Sequence, residues 1–506
     1  MNRGHCTNLP SRCSKAKSQE LVQVTGPRTA CPECGKPVKP FAATGRKRWV
    51  VYVILALVIA AGLALALLFR NGAPKEDSPS TRETSSNAEI DCAKVPALSL
   101  NGSDVLANTL TPDLVEGWMH LRAVENIRRS QEQGVTTISG ERGSSRCLVR
   151  IAGPNTSDGL AALGQGTTDI AMSPRQLNEA EVSALGQLGD MRSPAAEHVV
   201  AIDALSVIVN QKSAIKQLSR GELTDILFRR ISNWSSFQGK SQEIHLIATQ
   251  DGSRASDTAT ELLGPIAASS QRPSSDAGVV EAVSRDPEAI GIVSFPAGKS
   301  VRTLAIGERG ATAFAPSADT IATQTYPLTR RLYYYASPKP LNPNTTDFLS
   351  FVRSNAGQAL VTRAGYGGQN VQVVTSSSVR EDASEGYRSL VGKARQLNVA
   401  FRFRTGQSVL DNKALDDLNR LVSFLPAQTL GDTSPLILIG FADTEGETSK
   451  NLELSKQRAE AVATALSSKQ IRPRLVRWFG EEQPVGDNAT ASGRERNRRV
   501  EVWTTR

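Results

Sequence analysis

Arg458 interrupts an apolar helical pattern, four residues after Leu454 and four before Val462, so a guanidinium falls on or beside the inward ridge of that helix. A charge placed there requires a partner or a ligand. Asp443, just past the end of the strand Leu436 to Gly440, is the obvious counter-charge, and the two read either as a structural ion pair or as the charged wall of a binding site. Sulfur gives a second set. Cys6, Cys13, Cys31 and Cys34 lie near the N-terminus, and Cys31-Pro-Glu-Cys34-Gly has the spacing of a zinc knuckle. Four thiols suit one tetrahedral zinc, while the wider gap between Cys6 and Cys13 keeps scattered thiols as the competing reading. Three Gly-containing turns make a third set: Leu98-Ser-Leu-Asn-Gly-Ser103-Asp, the stretch Gly153 to Gly159, and Asp251-Gly-Ser253-Arg254. Each would aim backbone N–H groups and a hydroxyl at an anion, although any one of them alone is also an ordinary connector. The four histidines, His5, His120, His198 and His245, stand in no nucleophile-base motif, so a Ser-His-Asp hydrolase has little support and a binding protein, not an enzyme, is expected.

These residues need elements to hold them. With 506 residues the chain is long enough for about three folded units. Its net charge of +9 is concentrated in residues 1–48, which hold 10 Lys/Arg against 2 Asp/Glu and leave +1 for all the rest. That basic cluster precedes Trp49 to Phe69, a 21-residue run without a charged side chain, long enough to span about 30 Å of hydrocarbon. An orientation signal fits better than a nucleic-acid surface. The run predicts one uncleaved transmembrane helix, with the N-terminus and its four thiols in the reducing cytoplasm and everything from about Arg70 outside. Cys92 and Cys147 then lie in an oxidising periplasm, where a disulfide between them is expected. Residues 70–91, polar and rich in Ser, Pro and Thr, form a stalk. Residues 92–375 alternate short apolar runs such as Val199 to Val209 with amphipathic stretches, the mark of an α/β fold. Residues 376–394 read as a linker, and residues 395–506 as a small α/β module in which helix Leu415 to Leu425 precedes the strand and the Arg458 helix follows it.

Two resemblances sharpen this outline. The order of Asn101-Gly-Ser103, Thr168-Asp-Ile-Ala-Met-Ser173, Ala201-Ile-Asp-Ala-Leu-Ser-Val-Ile-Val-Asn210, Asn233-Trp234, Ala289-Ile-Gly-Ile-Val293 and Tyr326-Pro-Leu-Thr-Arg-Arg-Leu-Tyr-Tyr-Tyr335 resembles the periplasmic phosphate-binding proteins. The resemblance implies two α/β lobes joined by crossing strands, with an oxyanion such as phosphate in the cleft. It places ligand contacts at Ser103, Ser173, Asp251 and Ser253. The third loop of that family reads Arg-x-x-Gly-Ser-Gly-Thr, whereas here it is Thr249-Gln-Asp-Gly-Ser253-Arg-Ala255, so Arg254 is the residue left to supply the charge. Pro174 stands where some members carry a proton-accepting carboxylate. Likewise, Gly440-Phe-Ala-Asp443-Thr-Glu-Gly446, Asn451-Leu-Glu-Leu-Ser-Lys-Gln-Arg458-Ala459 and Asn497-Arg-Arg-Val-Glu501 resemble the OmpA-like peptidoglycan-associating domain. That likeness implies that Asp443 and Arg458 grip the free amino-acid end of diaminopimelate in the peptide stem, the aspartate taking its ammonium and the arginine its carboxylate. Arg494 and Arg496 are expected to be exposed.

Overall fold

The computed structural model describes residues 3–6, 22–23, 30–34, 38–40, 90–237, 241–266, 271–375, 379–403, 408–425 and 433–505, and it divides into two compact units, Met1–Ala88 and Glu89–Arg506. In the first unit, β1 (Arg3–Cys6) pairs antiparallel with β2 (Val22–Gln23) and β3 (Val38–Pro40), setting Cys6 opposite Val38. Cys31 is buried and opens the turn that carries Cys34, just before β3. Cys13, the run Trp49 to Phe69 and the stalk from Asn71 to Asn87 lie outside the described residues. Among those that are described, no helix is long and apolar enough to cross a membrane.

The second unit begins with β4 (Leu98–Gly102), followed by helix α1 (Thr111–Leu121) and the meander β5 (Glu125–Glu132), β6 (Val135–Arg142) and β7 (Ser145–Ala152). Helix α2 (Thr156–Gly164), capped by the Asn155 side chain on Asp158 N, leads to β8 (Ile170–Ser173). β4 runs parallel to both β7 and β8 and lies between them. A disulfide joins Cys92 to Cys147 with their Cα atoms 4.7 Å apart, tying the entry of the unit to β7.

All fourteen residues of β9 (Glu197–Asn210) are buried, because its nearly unbroken apolar run must pack on both faces. Its first half, Glu197 to Ala204, pairs with β15 (Thr329–Ala336), and its second half, Leu205 to Val209, pairs with β12 (Ala289–Ser294). β15 in turn pairs with β8 through Tyr333 to Ala336. β9 and β15 therefore cross from one half of the fold to the other within a ten-stranded mixed sheet of order β11-β12-β9-β15-β8-β4-β7-β6-β5, where β11 is His245–Ala248 and β13 (Val301–Thr303) flanks β9. A small parallel pair, β10 (Gln217–Ser219) with β14 (Ala305–Gly307), stands apart from it. Helices α3 (Arg254–Leu263) and α4 (Asp276–Arg285) cover the far half, α4 burying Val279 and Val283 against Ile208 and Ile247. On the near half, α5 (Pro343–Arg353) and α6 (Asn355–Arg363) join α1, with Trp118 edge-on to Phe348 at 5.5 Å. This is the α/β periplasmic-binding-protein fold with a curled mixed sheet.

The C-terminal module is a four-stranded sheet of order β16-β19-β17-β18, built from β16 (Arg395–Arg402), β17 (Thr433–Gly440), β18 (Arg472–Trp478) and β19 (Arg499–Thr504). The stretch expected to be a linker carries helix α7 (Glu385–Val391). Its Tyr387 is buried with ring centroids 5.9 Å from Phe441, 5.4 Å from Phe479 and 6.5 Å from Trp503, so this helix closes one face of the sheet. Helices α8 (Asn412–Phe424) and α9 (Thr448–Ser467) close the other, with Leu418, Leu421, Val462 and Leu466 against Leu436 and Leu438.

The two modules of this unit are docked by charge. Arg331 on β15 meets Asp411 at 2.7 Å, Arg353 on α5 meets Asp416 at 3.3 Å, Arg420 donates to the Gln369 side chain at 2.8 Å, and Arg496 pairs with Glu308. Arg494 and Arg496 are thus not exposed. Arg496 is drawn to Glu308 on the other module, and Arg494 is half-buried beside Glu445.

Candidate functional site

The cleft residues are placed by strand register. Gly102 pairs with Met172, so Ser103 and Ser173 emerge side by side at the carboxyl ends of parallel β4 and β8, where α/β folds hold ligands. Gly102 has φ +141°, and a Cβ there would lie 2.2 Å from the Met172 carbonyl oxygen, so only glycine allows this approach. Ser103 N donates to Met172 O at 2.9 Å, and the Ser173 hydroxyl donates to Arg175 O at 2.6 Å. Across the fold, Ser253 caps α3, accepting from Ser256 N at 3.2 Å, with its hydroxyl 2.5 Å from that of Thr249. Asp251 is largely exposed and pairs with Arg272 at 2.6 Å.

Arg254 turns inward. Its Nε donates to Asp203 at 2.9 Å, its Nη2 to Gly365 O at 2.9 Å, and its guanidinium lies 3.5 Å from the centre of the Tyr366 ring. Asp203 is fully buried on β9 and also receives Arg330 at 3.1 Å and the Thr258 hydroxyl at 2.7 Å. Burial alone would raise that carboxyl, but the charges of Arg254 and Arg330, helped by Thr258, hold it below the usual carboxylate range. Asp257 moves the other way, raised by burial and then by the nearby charges of Asp104 and Asp251, with Arg330 opposing. The segments after β4, β8 and β11 therefore carry serine hydroxyls and carboxylates, and Arg254 is already paired with Asp203. Asp203 was visible as one acid inside an apolar strand, a signal given no role.

In the C-terminal module, Asp443 follows β17 and is 5% exposed. It accepts from Glu445 N at 3.0 Å and from Arg498 Nη1 at 2.8 Å. Arg458, wholly buried, directs Nη1 toward Phe441 O at 3.4 Å and stands 5.6 Å over the Phe403 ring. Burial pulls its pKa down to about 10, with Asp443 opposing and Arg498 adding to the fall. Gly440 lets α9 approach β17, since a Cβ there would lie 2.1 Å from Ser455 O. Two guanidiniums and one carboxylate thus converge at the strand end, and the hydrogen-bonded partner of Asp443 is Arg498. The motif Asn497-Arg-Arg contained Arg498 without marking it. Of the four N-terminal cysteines, Cys6, Cys31 and Cys34 belong to the described residues, among which no group of three or more His, Cys, Asp or Glu side chains is arranged to hold a metal.

Two classes of domain correspond to this architecture. Residues 145–356 match the PBP superfamily domain, and residues 402–498 match the OmpA family. Among individual proteins, the phosphate-binding protein PstS of Pseudomonas aeruginosa is 28% identical over 295 residues, covering 53% of this chain and 82% of that protein. The phosphate-binding protein PstS of Bacillus subtilis is 26% identical over 262 residues, 50% of this chain and 84% of that one. Outer membrane protein A of Bordetella avium is 40% identical over 73 residues, 14% of this chain and 38% of that protein.

Proposed function

We propose that this chain is a cell-envelope binding protein whose C-terminal module holds the peptide stem of peptidoglycan while its middle module binds phosphate or a similar oxyanion. The observation that carries the reading is the convergence of Asp443, Arg458 and Arg498 at the end of β17, a charge pattern complementary to the ammonium and carboxylate of the diaminopimelate amino-acid end. The domain matches and the adjacent hydroxyls of Ser103 and Ser173 support the oxyanion half. Asp257, with its raised pKa, and its neighbour Asp104 suit a ligand that brings protons, which phosphate does and sulfate does not. Purified diaminopimelate-type peptidoglycan should sediment the parent protein but not Asp443→Asn or Arg498→Ala, since losing one partner of a desolvated charge pair costs about 2–5 kcal/mol. Normal sedimentation of both folded variants would reduce the constellation to a structural network.

A second reading is favoured by the pairing of Arg254 with Asp203: a scaffold whose solute-binding fold no longer takes phosphate. Calorimetric titration separates the two. Binding of phosphate that weakens with Ser103→Ala or Ser253→Ala, by about 1–3 kcal/mol for each lost hydroxyl, supports the first, and no binding by the parent supports the scaffold. The apolar run Trp49 to Phe69 belongs to the same proposal as a single inner-membrane helix with its N-terminus in the cytoplasm, to be checked by cysteine labelling from each side. Cys6, Cys13, Cys31 and Cys34 would hold one structural zinc there, and zinc analysis of the full chain beside its Cys31→Ser variant tests this. No reaction is proposed, and turnover of a phosphate ester would refute that.

A further inference from the structure

Between the two docked modules lies a cavity of about 260 Å³. The middle module lines it with Arg175, Arg330, Arg331 and Tyr333, and the C-terminal module adds Arg402 and Arg496. Only two acids, Glu261 and Glu495, share the lining, so five guanidiniums meet two carboxylates. Four of the five have a carboxylate partner: Arg175 pairs with Glu181, Arg330 with Asp203 and Glu261, Arg331 with Asp411, and Arg496 with Glu308.

Arg402 differs. It is 3% exposed and donates to the backbone carbonyls of Arg496, of Thr323 at 2.6 Å and of Gln324 at 3.1 Å. Among the described residues no carboxylate lies within ion-pair distance of it. Burial, reinforced by the charges of Arg499, Arg331 and Arg496 and opposed by Glu495, pulls its pKa down to about 9. Carbonyl dipoles satisfy the donors of a buried cation but do not cancel its charge. Close by, the Nε of Arg496 is buried without a hydrogen-bond partner among the described residues.

We infer that this cavity is a binding site for a small, multiply charged oxyanion, whose negative charge complements Arg402 and its neighbours. Arg402 contributes its charge, since carbonyls already take its Nη donors, and the hydroxyls of Tyr333 and Ser492 in the lining add donors. The volume falls below the roughly 300–1,000 Å³ of pockets for drug-sized ligands, which restricts the occupant to a compact anion. Ser103, Ser173 and Ser253 take no part in the lining, although the cavity begins at Pro174 and Arg175, next to Ser173, and shares Arg330 with the Asp203 network. Because its walls come from both modules, the bound anion joins them.

Titration of the full chain with pyrophosphate tests the site. The parent should bind one pyrophosphate, and Arg402→Gln should weaken binding about tenfold or more. Sulfate should compete, because guanidiniums need no proton on the ligand. Ser253→Ala, in the cleft, is expected to leave the pyrophosphate titration as in the parent. If Arg402→Gln does not fold, Arg175→Gln takes its place, since among the described residues the ion-pair partner of Arg175 is the partly exposed Glu181, and a comparable loss is expected. The proposal is overturned if the parent binds no pyrophosphate, if the folded arginine variants bind it unchanged, or if Ser253→Ala abolishes binding.

Discussion

His198 shows how a single side chain sets a pH limit on the fold. It is buried on β9, with Nε2 3.2 Å from Ala195 O and Nδ1 without a hydrogen-bond partner among the described residues. Burial, aided by the charge of Arg353, depresses its pKa to about 3 against the slight opposing pull of Ala195 O. The folded protein therefore keeps the ring neutral where the unfolded chain, with a pKa near 6.5, takes up a proton. Stability should be complete above about pH 6.5 and fall by about 1.4 kcal/mol per pH unit as the pH drops toward 4.5. Urea denaturation across that range should give a shallower slope for His198→Gln, and an unchanged slope would show that other groups dominate. Asp203 acts lower, since its depressed carboxyl stabilises the fold above the ordinary carboxylate pKa and that stability is lost as the pH falls further. Arg458 could be read from the sequence because a charge inside an apolar ridge is a local signal, and Asp443 because it follows a strand end as the nearest counter-charge. The inward turn of Arg254 could not, since its partner Asp203 lies 51 residues away on a strand that only folding brings near.

At the level of elements, the stretch between the two modules shows why composition misleads. Ser376 to Gly386 is polar and reads as part of a linker, yet α7 begins within it at Glu385 and inserts Tyr387 into an aromatic cluster, with its hydroxyl donating to Glu501 at 3.1 Å. A short helix needs only one or two apolar anchors to dock, too few to alter the average over 19 residues from 376 to 394. Tyr387→Ala should destabilise the C-terminal module by about 3–5 kcal/mol, the usual cost of an aromatic-to-alanine truncation in a core. Loss of less than about 1 kcal/mol in chemical denaturation would mean that α7 is only an appendage. By contrast, β9 was legible, because a strand buried on both faces carries its apolar run in sequence order.

On the scale of the whole molecule, modular organisation was readable from the two motif sets, but the docking was not. Arg331 with Asp411, Arg353 with Asp416 and Arg496 with Glu308 are separated by 80, 63 and 188 residues, and no local pattern announces such pairs. They make contacts on both sides of the crossing strands, so the C-terminal module meets both halves of the binding fold. The disulfide at the entry of this unit has a mechanical consequence. If a pull were applied between residue 90 and the C-terminus, tension would pass from Cys92 to Cys147 through a covalent bond, and the 55-residue span between them would bear no load. At about 3.3–3.6 Å per extended residue, roughly 180–200 Å of chain stays in reserve, and the protein could stretch by that further length only after the bond is reduced.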